Sequence, residues 1–162
     1  MAVRLIITGG TFDKRYDEIA GKLTLDHTHL PEILEKVRCT LDIALEVNQL
    51  IDSLEMQEDG RLSILETCKK SPEDHIVITH GTDTMDQTAA VLGKADLAKT
   101  IVLTGAMVPY SFGHSDAMFN LGSAISAVQT LTPGVYIAMN GRIFPWDNVR
   151  KNRELGLFEN IR

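Results

Sequence analysis

The chain has 162 residues, of which 44% are hydrophobic and 23% are charged, values typical of a globular domain. No apolar run approaches the roughly 18 residues that a membrane-spanning helix needs, and the net charge of −6 disfavours nucleic acid, because phosphate binding requires clustered lysine and arginine. The amino terminus enters its first predicted strand without the long apolar stretch of a signal peptide, so we expect a cytoplasmic protein with no nucleic-acid or membrane partner.

Short β-branched runs alternate with segments of helical period along the chain. The predicted strands are Arg4–Thr8, Ala44–Gln49, His75–Thr79, Thr100–Thr104 and Gly134–Met139. The predicted helices are Leu30–Leu41, Glu58–Lys70, Thr84–Leu97 and Ala117–Leu131. Such alternation is typical of a parallel sheet with helices on its faces. The sequence therefore predicts an α/β fold, a three-layer Rossmann- or flavodoxin-like domain with a mostly parallel sheet.

The segment after the fifth predicted strand, Gly141–Arg162, is too short for a second domain. We expect it to fold back against the carboxyl edge of the sheet or to pair with a second subunit. Residues 1–162 are therefore expected to form one domain, without a carboxyl-terminal domain.

Two threonines each follow a predicted buried strand inside a turn that contains glycine. Thr11 ends the segment LIITGGT, and Thr82 lies in the segment IVITHGTD. In open parallel sheets, ligands bind in the crevice outside the carboxyl ends of the strands. We therefore expect both hydroxyls at one site, as candidate nucleophiles.

A threonine hydroxyl is a weak nucleophile at neutral pH and needs a nearby base and an oxyanion site. Asp83 adjoins Thr82, and Lys151 lies in the tail. Tyr16 lies in the polar segment 12–18, which is long enough to form a lid. We expect Lys151 or Tyr16 to take the hydroxyl proton. The backbone amides that open the helix after Thr82 are candidates for binding an oxyanion or a carboxylate.

Both turns also have a purely structural interpretation. Gly9–Thr11 is compatible with a simple turn from strand to loop. Thr82–Thr84 is compatible with a helix cap, in which Asp83 or Thr84 binds exposed backbone donors. These residues alone leave both interpretations open.

The sequence does not contain the residue patterns of a nucleotide site, a serine-hydrolase site or a metal site. The phosphate-binding glycine motifs are absent, and Ser111 has no Gly-x-Ser-x-Gly elbow around it. His27 and His29 have no third ligand at metal-site spacing. We therefore expect no nucleotide, no metal and no other cofactor.

These motifs together resemble the amino-terminal domain of the bacterial-type L-asparaginases. Thr8–Thr11 (TGGT) matches the family's first signature, and His80–Met85 (HGTDTM) matches its second. Further agreement lies at Asp52–Met56 (DSLEM), Leu103–Pro109 (LTGAMVP) and Phe119–Leu121 (FNL). Lys151 falls where the family has its catalytic lysine, so the resemblance covers nearly the whole chain.

The resemblance implies a two-step hydrolysis of the side-chain amide of L-asparagine. Thr11 attacks the amide carbon and releases ammonia, and water then cleaves the β-aspartyl ester. Thr82, Asp83 and Lys151 form a second hydroxyl-base unit, which deprotonates the nucleophile or activates water. Which threonine attacks in which step stays open. Tyr16 is implied as the tyrosine of the lid.

The resemblance also implies a set of substrate-binding residues. Ser53 would hold the α-carboxylate of the substrate, and Asp83 would pair with its α-ammonium. The full implied set is Gly10, Asp52, Ser53, Gly81, Asp83 and Ala106.

This chain departs from the family pattern at three points. Leu54 stands where a substrate-binding glutamine commonly follows the serine, so weaker or altered substrate binding is expected. Tyr16 lies closer to the first threonine than the lid tyrosine of longer members does, which indicates a shortened or rerouted lid. The chain also ends at Arg162, before the second domain of those members, and in this it resembles the short single-domain asparaginases.

Two other functions stay open. Leu54 and the shorter length are compatible with a non-catalytic module that binds aspartate or asparagine. The site is also compatible with an amidase that acts on glutamine or another amide. In either case the tail and the fourth predicted helix leave surfaces for a second subunit, so we expect a homo-oligomer.

Overall fold

The computed structural model describes residues 1–162 as ten strands and four helices. The strands are β1 (Ala2–Gly9), β2 (Arg15–Asp17), β3 (Lys22–Thr24), β4 (Asp42–Ile51), β5 (His75–Thr79), β6 (Thr100–Thr104), β7 (Gly134–Met139), β8 (Arg142–Pro145), β9 (Arg150–Asn152) and β10 (Leu157–Glu159). The helices are α1 (Leu30–Lys36), α2 (Glu58–Lys70), α3 (Met85–Lys94) and α4 (Ala117–Val128). Two short 3-10 turns cover Thr11–Asp13 and Tyr110–Phe112.

Six strands form the central sheet, in the order β4-β1-β5-β6-β7-β8. The first five are parallel, and β8 is antiparallel to β7. Numbered among themselves in chain order, the parallel strands read 2-1-3-4-5, the flavodoxin-like order. The predicted α/β fold with a mostly parallel sheet is confirmed.

Helices cover both faces of this sheet. Ile6 and Ile78 pack with α2 and α3 in one apolar cluster, whereas Leu5 and Val77 pack with α1 and α4 in the other. The inner strands are apolar on both sides, as expected for parallel strands buried between two helical layers. All five predicted strands are present, and β4 extends further at both ends.

Three helices end earlier than predicted, and only α2 matches its predicted range. The predicted helix Leu30–Leu41 ends at Lys36, and Arg38 has φ +56°. The predicted helix Thr84–Leu97 ends at Lys94, and Asp96 has φ +49°. A residue in the left-handed region rotates its peptide groups out of the helical hydrogen-bond pattern, so the helix stops there. The third, α4, ends before Pro133, which has no backbone donor.

The tail folds back onto the sheet. After β8 pairs with β7, β9 and β10 form a two-stranded hairpin. Phe144, Val149 and Phe158 are buried in the cluster formed with α2 and α3. This burial holds β9 beside the carboxyl ends of the parallel strands.

A second small hairpin, β2–β3, lies between the turn at Thr11–Asp13 and α1. The polar segment 12–18 leads into this hairpin; we call residues 14–28, which contain it, the lid, and its closure over the site stays a prediction. None of the four helices is long and apolar enough to cross a membrane.

Candidate active site

The two threonines follow the carboxyl ends of two neighbouring strands. Thr11 follows β1 directly in its 3-10 turn, and Thr82 follows β5, which pairs with β1. The chain leaves β1 towards α1 on one face of the sheet and leaves β5 towards α3 on the other. This reversal is the switch point at which flavodoxin-like sheets bind their ligands.

Close packing of glycines brings the loops together. A Cβ on Gly10 would lie 2.4 Å from the backbone N of Gly81, and a Cβ on Gly81 would lie 2.5 Å from Oγ of Ser53. Gly10 also has φ +78° and donates its N–H to the carbonyl of Ile51 at 3.0 Å. Only glycine combines this backbone conformation with so close an approach. The Thr11, Thr82 and Ser53 loops are therefore in direct contact.

Lys151 joins the tail to the Thr82 loop. Its Nζ donates to Oγ1 of Thr82 at 2.8 Å and to Oδ1 of Asp83 at 2.9 Å. The Lys151 side chain is only 10% exposed and that of Asp83 is 30% exposed. The predicted unit of Thr82, Asp83 and Lys151 is thus assembled, although its members come from distant parts of the chain.

This arrangement has a defined chemistry. An ammonium has no acceptor, so Nζ of Lys151 donates both bonds and leaves the Thr82 proton free for a partner in the cleft. The same ammonium stabilises negative charge on Oγ1 of Thr82 as that proton leaves. The Asp83 carboxylate holds the ammonium in place.

Thr11 and Tyr16 are less constrained. Thr11 is half-buried, and its hydroxyl makes no hydrogen bond within the protein. Tyr16 lies in β2 opposite Leu23 and is 54% exposed. The Tyr16 hydroxyl bonds to neither threonine, so it does not join the assembled unit in this structure.

Ser53 is buried in the loop that follows β4. Thr84 Oγ1 donates to its carbonyl at 2.9 Å. The structural alternative of a side-chain cap is therefore wrong for Thr84, which forms no cap bond at α3. Its hydroxyl has a buried acceptor across the loop instead and holds Ser53 next to Gly81.

The residues around Ser53 meet the lid. Asp52 forms an ion pair with Lys14 of the lid and accepts the Leu54 N–H at 3.0 Å. Leu54 itself is 60% exposed. The loop therefore offers an apolar, solvent-facing side chain where the resemblance to the asparaginases implies a substrate-binding glutamine.

Ala106 is fully buried in the loop after β6, and two polar side chains, the buried Asn120 and the half-buried Asp116, hold that loop. Asn120 donates to the Gly105 carbonyl at 2.9 Å and accepts the Asn140 N–H at 3.1 Å. Asp116 accepts the Met107 N–H at 3.0 Å. The FNL motif thus contributes a scaffold residue, Asn120, at the base of the site.

His80 has a structural role beside Gly81. It is fully buried, and burial lowers its pKa from 6.5 to about 4. Its Nδ1 bonds the Gly81 carbonyl and its Nε2 bonds Oγ1 of Thr88, each at 2.8 Å. A carbonyl only accepts, so Nδ1 carries the proton and Nε2 accepts from Thr88. Both nitrogens are occupied, and the ring holds the loop instead of transferring protons.

Sequence reasoning missed two cations at the site. Arg153 donates to the Asp83 carbonyl at 3.2 Å, and its guanidinium lies 3.9 Å from Oδ1 of Asp83. Lys14 reaches Asp52 from the lid. The signal for Arg153 was its spacing of two from Lys151, which places both side chains on one side of an extended chain, although β9 itself ends at Asn152. No local pattern signals the Lys14 pair.

Comparison with known proteins supplies relatives for this fold and site. The L-asparaginase of Thermococcus kodakarensis is 29% identical over 163 residues, which cover 97% of this chain and 49% of that protein. Its solved structure superposes with a TM-score of 0.88 over 99% of this chain and 51% of that one. The structure of a probable cytoplasmic L-asparaginase from Campylobacter jejuni gives 0.83 at 28% identity, over 98% of this chain and 52% of that one.

The name of a third relative refers to both glutamine and asparagine. The glutaminase-asparaginase of Acinetobacter glutaminasificans is 34% identical over 127 residues, which cover 75% of this chain and 38% of that protein. The chain thus spans about half of the length of the two asparaginases, and less of this enzyme. Residues 2–158 match the family described as Asparaginase, N-terminal. Because this match spans nearly the whole chain, the protein belongs to the asparaginase family through the family's N-terminal domain.

Proposed function

We propose that residues 1–162 form a catalytic domain that hydrolyses the side-chain amide of L-asparagine to L-aspartate and ammonia through a threonine nucleophile. The observation that carries the proposal is the bonded unit of Lys151, Thr82 and Asp83 beside the Thr11 turn. A helix cap needs no buried lysine on its threonine. A hydroxyl that orients and polarises a water molecule is assisted by an adjacent lysine that an aspartate holds in place.

In the proposed reaction, Oγ1 of Thr11 forms a bond to the amide carbon. Its proton passes to the departing nitrogen, which leaves as ammonia, and the β-aspartyl ester remains on Thr11. Thr82, with Lys151 and Asp83 behind it, then orients a water whose oxygen bonds to the ester carbon; the bond to Oγ1 of Thr11 breaks, a proton from the water returns to Oγ1, and L-aspartate leaves. We assign the first attack to Thr11 because its hydroxyl has no partner in the protein, whereas that of Thr82 is held by Lys151. Tyr16 would approach with the lid.

The proposed binding site lies where the three loops meet. Ser53 would hold the α-carboxylate and Asp83 the α-ammonium of the substrate. Gly10 and Gly81 lack side chains, so the backbone can approach the substrate closely. Asp52 and Ala106 complete the proposed site, Asp52 by shaping the Ser53 loop and Ala106 by closing the side towards β6.

The direct test is ammonia release from L-asparagine by the purified chain. Thr11→Ala and Thr82→Ala should each abolish turnover. Thr130→Ala, which alters an exposed hydroxyl beyond α4, should leave turnover unchanged. Tight aspartate binding with no ammonia release would overturn the proposal and favour a non-catalytic binding module.

A second candidate substrate is glutamine or an amide carried on another molecule. The match to a relative named glutaminase-asparaginase and the exposed Leu54 favour it. Comparing kcat/KM for asparagine with that for glutamine decides between them. A higher value for glutamine would replace the asparaginase assignment.

We also propose that the chain acts as a homo-oligomer in the cytoplasm. Met118, Phe119 and Ile143 are 42%, 62% and 41% exposed. Phe119 lies against Gly141, where a Cβ would be 3.3 Å from its ring, so the start of α4 and the β7–β8 turn form one surface. We call these three side chains the α4 patch. An exposed apolar patch of this kind supports a subunit contact.

A further inference from the structure

One buried carboxylate has no part in the proposed chemistry. Asp13 is 1% exposed and belongs to the 3-10 turn that carries Thr11. Its Oδ1 accepts the backbone N–H of His29 at 2.8 Å, whereas its Oδ2 is buried with no hydrogen-bond partner. Burial raises its pKa, and the hydrogen bond from the His29 backbone opposes that shift.

A buried carboxyl group with one unpaired oxygen opposes folding. An apolar side chain of similar size would fill the same space without that desolvation penalty. The neighbours do not remove the problem: the His29 ring lies beside the carboxyl, but its Nδ1 is 3.4 Å from Oδ1 and has no hydrogen bond. Stability therefore does not account for an aspartate at this position.

The place of the bond in the chain suggests its role. Asp13 and His29 flank residues 14–28, which contain the whole β2–β3 hairpin. The bond from Oδ1 to the His29 N–H therefore closes the base of the lid. The same turn is held from the other side, because the Asp13 N–H donates to the Gly10 carbonyl at 3.2 Å. Movement of the lid base would pull directly on the turn that contains Thr11.

We propose that Asp13 is a positioning residue: its bond to the His29 backbone clamps the two ends of the lid hairpin and so fixes the turn that presents the Thr11 hydroxyl. This inference rests on the proposed function. Asp13 touches no reacting atom and acts through the orientation of Thr11. Its loss should therefore reduce kcat more than it changes KM, because Ser53 and Asp83 lie on other loops.

Four substitutions test the clamp by ammonia release from asparagine. Asp13→Ala should lower kcat by about tenfold or more with KM within about threefold, since small displacements of a nucleophile slow the chemical step strongly. Asp13→Asn keeps a carbonyl acceptor for the His29 N–H and should restore most of kcat. His29→Ala keeps the backbone N–H and should stay near the wild-type rate. Asp26→Ala, the matched control, removes an exposed ion pair with Arg15 at the lid and should also stay near it.

The proposal is overturned if folded Asp13→Ala keeps its kcat, or if Asp13→Asn is as slow as Asp13→Ala. If the alanine variant does not fold, Asp13→Glu moves the carboxylate by one methylene and should show the same loss of kcat.

A wild-type chain that releases no ammonia would refute the proposed function without deciding on the clamp. Amide hydrogen exchange gives the independent measurement. In Asp13→Ala, but not in Asp26→Ala, the amides of residues 11–14 and of the hairpin should exchange faster. Unchanged exchange in this region would overturn the clamp.

Discussion

The Lys151 side chain connects the tail of the chain to the Thr82 loop. It reaches Thr82 and Asp83 across a sequence separation of 69 and 68 residues. Around it lie Asp83 as a partner anion and Arg153 as a second cation. The local charge balance at the Thr82 hydroxyl therefore depends on the tail as much as on the loop that carries the threonine.

Lys151→Met should reduce ammonia release by about 100-fold or more, because Thr82 loses the group that stabilises its oxyanion and Asp83 loses its ion-pair partner. Circular dichroism should show an unchanged fold. Lys69→Met is the matched control, since Lys69 pairs with Glu66 on an exposed helix surface. A Lys151→Met enzyme as active as the control would remove Lys151 from the mechanism.

His80 makes stability depend on pH. Its folded pKa of about 4 lies below the ordinary 6.5, so the fold favours the neutral ring. The contribution is complete above about pH 6.5 and is lost as pH falls towards about 4; the shift corresponds to something on the order of 3 kcal/mol. Urea unfolding at about pH 7 and about pH 4.5 should show a larger loss of stability for wild type than for His80→Gln. Equal losses in both proteins would contradict this.

At the scale of elements, the strand ends decide the geometry. β1 and β5 are adjacent and parallel, and the glycines after them allow their loops to touch. For packing on the sheet, the apolar face of each helix is more important than the residue at which the helix ends. Although α1, α3 and α4 end earlier than their apolar periodicity predicts, each still packs its apolar side on the sheet.

Gly10→Ala should destabilise the domain by about 2 kcal/mol or more, because the new Cβ collides with Gly81 and the backbone is strained. Gly113→Ala is the control, with φ +80° but nothing within 4 Å of its Cβ; it should lose only about 1 kcal/mol. Chemical denaturation measures both. Similar losses would show that the approach to Gly81 is not tight.

At the scale of the whole molecule, the central sheet is covered on both faces, and the α4 patch is left open. The patch lies where the start of α4 meets the β7–β8 turn. This is the β8 edge of the sheet, and β4 forms the other edge. Met118 of the patch lines the same cavity as Tyr110 and Ser111, and Ser111 donates to the Lys14 carbonyl at 2.9 Å, so a second subunit bound there would lie close to the base of the lid.

Sedimentation at micromolar concentration should show an oligomer, and Phe119→Ser should shift it towards monomer by removing the aromatic ring of the patch. Ile19→Ser, at a position 95% exposed in the lid hairpin, should leave the assembly unchanged. A wild-type monomer would refute the proposed oligomer, and an unchanged Phe119→Ser oligomer would move the contact elsewhere.

Local sequence was sufficient for the order and type of the main elements. Alternating apolar runs and helical periods are short-range signals, so the five parallel strands and four helices follow from them. The glycines next to Thr11 and Thr82 likewise predict strand-end loops, and the parallel sheet places both loops at one edge. Helix ends were predicted less well, because Arg38 and Asp96 leave the helical region without being glycine or proline.

Only the tertiary structure decided which side chains meet. The Lys151–Thr82, Lys14–Asp52 and Asp13–His29 contacts join segments whose separation along the chain carries no periodic signal. They form because buried apolar residues such as Phe158 fix the tail, and because glycine backbones can pack without side chains between them. The sequence by itself determined the sheet and the candidate hydroxyls; the packing determined that Thr82 has a lysine on it and that the Thr11 turn is tied to the lid.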